Sequence, residues 1–130
     1  MLSRFPIESV TSHRHTTFED EQGRSQRFRR DLLRVTIQPP QGNTFEAWCV
    51  HLKSSGDDAP TSEPIRWAEA QKIRELYDQT VQANPGARIL ILGDFNDTLE
   101  SRSIRGLLGS ERHPLQTLLQ DLPIEQRVSY

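Results

Sequence analysis

The sequence predicts a mixed α/β fold, and three observations predict it. Four consecutive aliphatic residues, Ile89-Leu90-Ile91-Leu92, lie between the turn formers Asn84-Pro85-Gly86 and Gly93. Four residues bounded in this way are too few for a buried helix, so the run reads as a strand covered on both faces. Upstream, Ala70, Ile73, Leu76, Tyr77 and Val81 fall within one half of a helical wheel, the pattern of an amphipathic helix. Earlier still, residues 31–38 and 44–52 carry the alternation and the aromatic and β-branched content of strands.

Taken in order, Leu2-Ser3-Arg4-Phe5-Pro6-Ile7 opens as structured chain, and Val10-Thr11 begins a short strand in a polar stretch, residues 9–29, that has no sustained period. Over residues 31–38, Leu33, Val35 and Ile37 share one face, and Leu32, Arg34 and Thr36 the other. Pro39-Pro40-Gln41-Gly42-Asn43 supplies a turn into residues 44–52, which predicts an antiparallel hairpin. Thr61 or Ser62 is placed to cap a helix starting near Pro64, since proline is tolerated in a first turn. Its wheel turns Arg66, Lys72, Glu75 and Asp78 toward solvent or a rim. A loop follows Gly93, then a second helix near residues 101–108 and a weakly patterned tail. Arg127-Val128-Ser129-Tyr130 is suited to entering a further strand. We therefore expect residues 1–130 to form a single partial domain, incomplete at both ends. Its bare sheet edges would favour association.

Composition narrows the function. Sixteen basic and 18 acidic residues leave a net charge of -2, which excludes a histone-like nucleic-acid binder. A single cysteine, Cys49, excludes an internal disulfide framework and, within an apolar strand, reads as an inert core thiol. No window approaches the ~20 apolar residues of a membrane span, and no leader pattern is visible, so the cytoplasm is the default compartment.

Two segments carry chemistry. In Gly93-Asp94-Phe95-Asn96-Asp97, directly after the apolar strand, Asp94 and Asn96 have period-two spacing and point the same way if the chain stays extended. Carboxyl ends of strands are where α/β sheets present side chains to a crevice. There Asp94 can orient a water or bind a hard cation, and Asn96 can donate to a phosphoryl oxygen. The same residues are also ordinary turn formers, with Asp97 capping the next helix. In Val50-His51-Leu52-Lys53-Ser54, His51 leaves another strand end, where it can stabilise or protonate an oxyanion or serve as a hydrogen-bonded structural residue. His13-Arg14-His15 lacks a third ligand at a spacing useful for zinc. The arginines at 24, 27, 29, 30 and 34 read as a solvated surface, although guanidinium forks also suit phosphates.

These two segments, with Leu2-Ser3-Arg4-Phe5-Pro6-Ile7 and Phe28-Arg29-Arg30-Asp31-Leu32-Leu33, resemble in order and spacing the endonuclease/exonuclease/phosphatase superfamily. That superfamily includes pancreatic-type deoxyribonucleases, abasic-site endonucleases, sphingomyelinases and inositol polyphosphate 5-phosphatases. Arg66, Glu69 and Ala70 fall on a helix where the family has one. The resemblance implies a four-layer α/β sandwich of two packed, mainly antiparallel sheets flanked by helices. It also implies hydrolysis of a phosphoester with Mg2+ or Mn2+, on a nucleic acid, a phospholipid or a small phosphate ester. His51 then matches the histidine that contacts the scissile phosphate, and Asp94 the aspartate that orients the attacking water or contributes to the metal site. Asn96 matches the asparagine that binds phosphate and helps to position the nucleophile, and it is the second candidate at the metal. Arg30 falls where nuclease members have a phosphate-contacting arginine. The family's early asparagine and metal-binding glutamate, and its closing Asp-His pair, have no counterpart here, so activity is expected of a longer parent. The alternative is a non-catalytic remnant, or a fragment that associates with itself through its sheet edges.

Overall fold

The computed structural model describes residues 2–54, 56, 59–109, 112–119 and 121–123. In chain order the elements are β1 (Ile7–Ser12), β2 (Thr17–Glu19), β3 (Ser25–Arg27), β4 (Leu33–Ile37), β5 (Phe45–His51), α1 (Ala59–Ala83), β6 (Ile89–Asp94) and α2 (Arg102–Leu108). Four strands form one sheet in the order β1-β4-β5-β6, and β2 and β3 form a separate hairpin. The expected hairpin is β4–β5, antiparallel, with Leu33 opposite Cys49 and Ile37 opposite Phe45. β1 adds antiparallel to β4. β6 runs parallel to β5, because α1 carries the chain back across the sheet between them.

Alternation divides the sheet into two unlike faces. Trp48, Val50, Leu32 and Leu52 point to α1 and form the main core with Ala70 and Ile73, joined at its edge by Ile89 and Ile91. Val35, Ile37 and Ala47 form a second cluster on the opposite face. That face also carries Val10, Leu90 and Leu92, which are 57%, 45% and 39% exposed. The expectation that the aliphatic strand is covered on both faces is thus corrected. β6 is an edge strand with only Ile89 and Ile91 against the core, because among the described residues the helices lie on one side of the sheet.

α1 begins at Ala59, ahead of the expected start at Pro64, so Thr61 and Ser62 lie inside the helix rather than capping it. Ser62, ahead of Pro64, is already buried, so the helix is packed against the rest of the fold before the proline is reached. Pro64, in the second turn, removes one backbone donor near the helix start. Arg66 is also corrected: it is buried, not turned to solvent.

The β2–β3 hairpin escapes periodicity because its strands are three residues long. Its turn is organised by Asp20, which accepts from the backbone N–H groups of Gln22 and Arg24 at 3.0 and 2.9 Å. The same carboxylate accepts from the side chains of Arg24 and Gln26 at 2.8 Å each. The hairpin docks on the helices through Phe18, whose ring meets Phe28, and through a Glu21–Arg102 ion pair beside Trp67.

α2 matches the expected second helix. Its N-cap is Ser101, whose Oγ accepts from the N–H of Ile104 at 3.2 Å, so Asp97 is free for another role. At the other end Gly109 closes the helix with φ 78°, and the buried Arg74 guanidinium donates to the carbonyls of Leu108 and His113. Residues 127–130, expected to enter a strand, lie outside the described residues.

Candidate active site

Three of the four segments singled out from the sequence, residues 28–33, 50–54 and 93–97, meet at one end of the sheet. Residues 2–7 lie at the other, with Ile7 opposite Ile37 and Ile37 opposite Phe45. β5 and β6 run parallel, so their carboxyl ends, His51 and Asp94, are register partners. β4 runs the other way, which brings residues 29–32 beside the end of β5. Nε2 of His51 lies 3.7 Å from Oδ2 of Asp94, and both side chains are half-exposed. This is the arrangement of an imidazole and a carboxylate facing a common solvent-filled point.

The local chain explains how Asp94 and Asn96 reach it. Gly93 has φ 140°, a region that L side chains avoid, and a Cβ there would fall on the carbonyl oxygen of Val50. Glycine thus lets β6 approach β5 closely just before the strand ends. Leu52 then donates to the carbonyl of Asp94 at 2.9 Å, which carries the pairing one step past the strand. The N–H of Asn96 bonds Oδ1 of Asp94 at 2.9 Å, forming a turn closed by the aspartate side chain. Asn96 itself sits at φ 50°, a conformation asparagine tolerates better than most residues. Its Nδ2 donates to the carbonyl of Leu52 at 3.0 Å. One amide hydrogen is therefore committed to the scaffold, and the second hydrogen and Oδ1 remain for a ligand.

Beneath these loops lies a buried polar cluster that sequence reasoning missed. Glu69, 1% exposed, accepts from the backbone N–H groups of Arg29 and Lys53, both at 2.7 Å. Burial raises its pKa, partly offset by those two hydrogen bonds. Arg66 donates from Nε to Oδ2 of Asp97 at 2.7 Å and to the carbonyl of Lys53 at 3.1 Å. The signal was in the wheel: Arg66, Glu69 and Ile73 have i, i+3, i+7 spacing, so two charged residues continue a buried stripe.

His51, Asp94 and Asn96 are therefore brought together. Arg30 is exposed in the segment next to Arg29, at the same sheet end, and its guanidinium bonds none of the three among the described contacts. The other arginines are engaged elsewhere: Arg34 pairs with Glu46 and stacks on Trp48, and Arg24 pairs with Asp20. Cys49 is half-buried, and burial pushes its thiol pKa up. As metal donors, Asp94 and Asn96 offer one carboxylate and one amide oxygen, hard ligands of the kind Mg2+ takes alongside several waters. Among the described residues no three His, Cys, Asp or Glu side chains gather, so this pair fits as part of a site rather than all of one. No helix among the described residues is long and apolar enough to cross a membrane.

Comparison with known proteins identifies the family. The model of the endonuclease/exonuclease/phosphatase family matches residues 3–120, and the chain belongs to that family, whose enzymes hydrolyse phosphoester bonds and generally depend on a divalent metal. Among solved structures, the human Nocturnin catalytic domain with bound sulfate anion is similar, with a TM-score of 0.61 at 17% identity. The match covers 82% of this chain and 36% of that one, so the fold shared is about a third of the Nocturnin domain. No curated protein sequence matches significantly.

Proposed function

We propose that this chain supplies the middle of a metal-dependent phosphoester hydrolase site, with His51, Asp94 and Asn96 as its catalytic residues. The observation that carries the reading is that His51 and Asp94 lie 3.7 Å apart at the carboxyl ends of β5 and β6, with Asn96 bonded to the Asp94 carboxylate through its N–H and to the carbonyl of Leu52 through its side chain. In-line attack on phosphorus builds negative charge on the phosphoryl oxygens. His51 Nε2 and the uncommitted amide hydrogen of Asn96 are donors that can receive it. The carboxylate of Asp94 accepts a hydrogen bond from water and orients it for attack. Arg30 contributes a guanidinium at the entrance, suited to a phosphate oxygen. A divalent ion, Mg2+ or Mn2+, would be held in part by Asp94 and Asn96 and would add Lewis-acid stabilisation. The substrate is a phosphoester of a nucleic acid, a phospholipid or a small molecule, and residues 1–130 act as a single part of a larger catalytic domain.

The test is Asp94→Ala in the protein as its source makes it, with bis(p-nitrophenyl) phosphate and Mg2+. Loss of a group that positions the nucleophile is expected to cut turnover by about 10³-fold. The melting temperature should stay within a degree or two, because Asp94 is exposed. Hydrolysis that survives both the substitution and chelation of the metal would overturn the reading.

A second reading, association through the sheet edges, is favoured by β1 and β6 both being edge strands flanked by exposed Val10, Leu90 and Leu92.

A further inference from the structure

We propose that Arg66 and Glu69 of α1 are positioning residues of this site. They hold the ends of β5 and β6 at the spacing at which His51, Asp94 and Asn96 meet one phosphate. The inference rests on the phosphoester reading, but its structural basis is separate. Both charged side chains are buried on the stripe where α1 packs on the sheet. Replacing buried ionic groups by apolar ones is often neutral or stabilising, so attachment of the helix does not by itself call for them. The helix is already attached by Ala70, Ile73, Leu76 and Tyr77.

What these two side chains do instead is bond the main chain and loops of the site. Glu69 takes the N–H of Lys53 and Arg66 its carbonyl, so this residue, just after the His51 strand, is held on both sides. The second oxygen of Glu69 fixes Arg29, next to Arg30. The Nε of Arg66 fixes Asp97, next to Asn96. The N–H and carbonyl groups of two successive residues, Leu52 and Lys53, are thus held by four groups: Asp94 at the end of β6 and Asn96 just after it, and Arg66 and Glu69 from α1. Neither charged residue touches the point that His51 and Asp94 face. They act through the loops, and an error of ~1 Å in such loops can cost ~10²-fold in rate.

The experiment compares Glu69→Gln and Arg66→Lys with wild type in the protein as its source makes it. Gln can accept from only one of the two N–H groups, and Lys keeps the charge but loses the fork. Two quantities are read: kcat and KM for bis(p-nitrophenyl) phosphate with Mg2+, and the exchange rate of the Asn96 side-chain amide by nuclear magnetic resonance. We expect kcat to fall about 30- to 100-fold with KM within about threefold. The Asn96 amide should exchange at least ~10-fold faster as its bond to Leu52 loosens. Unchanged kcat and unchanged exchange in folded variants would overturn the proposal. If both variants fail to fold, Asp97→Asn weakens the Arg66 contact from the loop side, and the same readouts decide. If wild type shows no hydrolysis, the phosphoester reading falls, and the amide exchange alone decides whether the clamp exists.

Discussion

The two faces of the central sheet are built from the same strands and differ in what completes them. On the α1 side, Trp48 is fully buried, Glu46 accepts its indole N–H at 2.8 Å, and Arg34 stacks over its ring at 4.3 Å. That face is closed, with its polar atoms bonded. On the other side the centre is equally apolar, yet Val10, Leu90 and Leu92 remain exposed, and the row ends in His51 and Asp94. The difference shows how the chain divides its labour. One face makes the structure stable; the other presents an apolar floor whose polar end holds the candidate chemistry. The resemblance to a sandwich of two sheets gives that floor a use, because the open face is where a second sheet would pack.

If the division is right, the largest loss comes from the closed face. Trp48→Ala removes the largest fully buried side chain together with its indole bond to Glu46 and its stacking with Arg34. The expected cost is about 3–5 kcal/mol, comparable with the whole stability of a small domain. Chemical denaturation measures it. A loss below about 1 kcal/mol would mean that the core is not organised around this face.

Much of this was legible in the sequence, for reasons that differ by element. Alternation at residues 33–37 and the turn at 39–43 fixed the β4–β5 hairpin, because a period of two has one packing solution. His51, Asp94 and Asn96 were legible because strand ends are marked by the change from apolar to polar residues. The start of α1 was misplaced because Pro64 is a strong local signal, whereas the helix is already packed at Ser62, ahead of it. The β2–β3 hairpin was illegible, since three-residue strands carry no period and its turn depends on one side chain, Asp20. Arg66 was assigned to solvent by polarity alone, which fails where a charged residue serves buried backbone groups.

A middle-sized effect tests how the closed face is fastened at low pH. Hydrogen bonds from the N–H groups of Arg24 and Gln22 and the side chains of Gln26 and Arg24 lower the Asp20 pKa to about 2, against the desolvating effect of burial. A depressed folded-state pKa adds stability that is fully present above the unfolded value of 3.8 and is lost as the pH falls toward about 2. Thermal unfolding between pH 5 and 2 should therefore show a decline that is shallower in Asp20→Asn, with the variant already less stable at pH 7. Parallel profiles for the two proteins would show that the Asp20 turn does not fasten the hairpin.

The smallest effect belongs to the open face and is the one most able to break the comparison. Leu90→Thr with Leu92→Thr puts β-branched strand residues at two exposed positions. In residues 1–130 by themselves it should change unfolding free energy by no more than about 0.5 kcal/mol per site, as surface substitutions usually do. The same pair should reduce any self-association seen by sedimentation, since it removes apolar side chains beside an edge strand. A loss of several kcal/mol would show instead that this face is covered in the folded protein. The two faces would then be two halves of one core, with His51 and Asp94 at its seam rather than on an open floor.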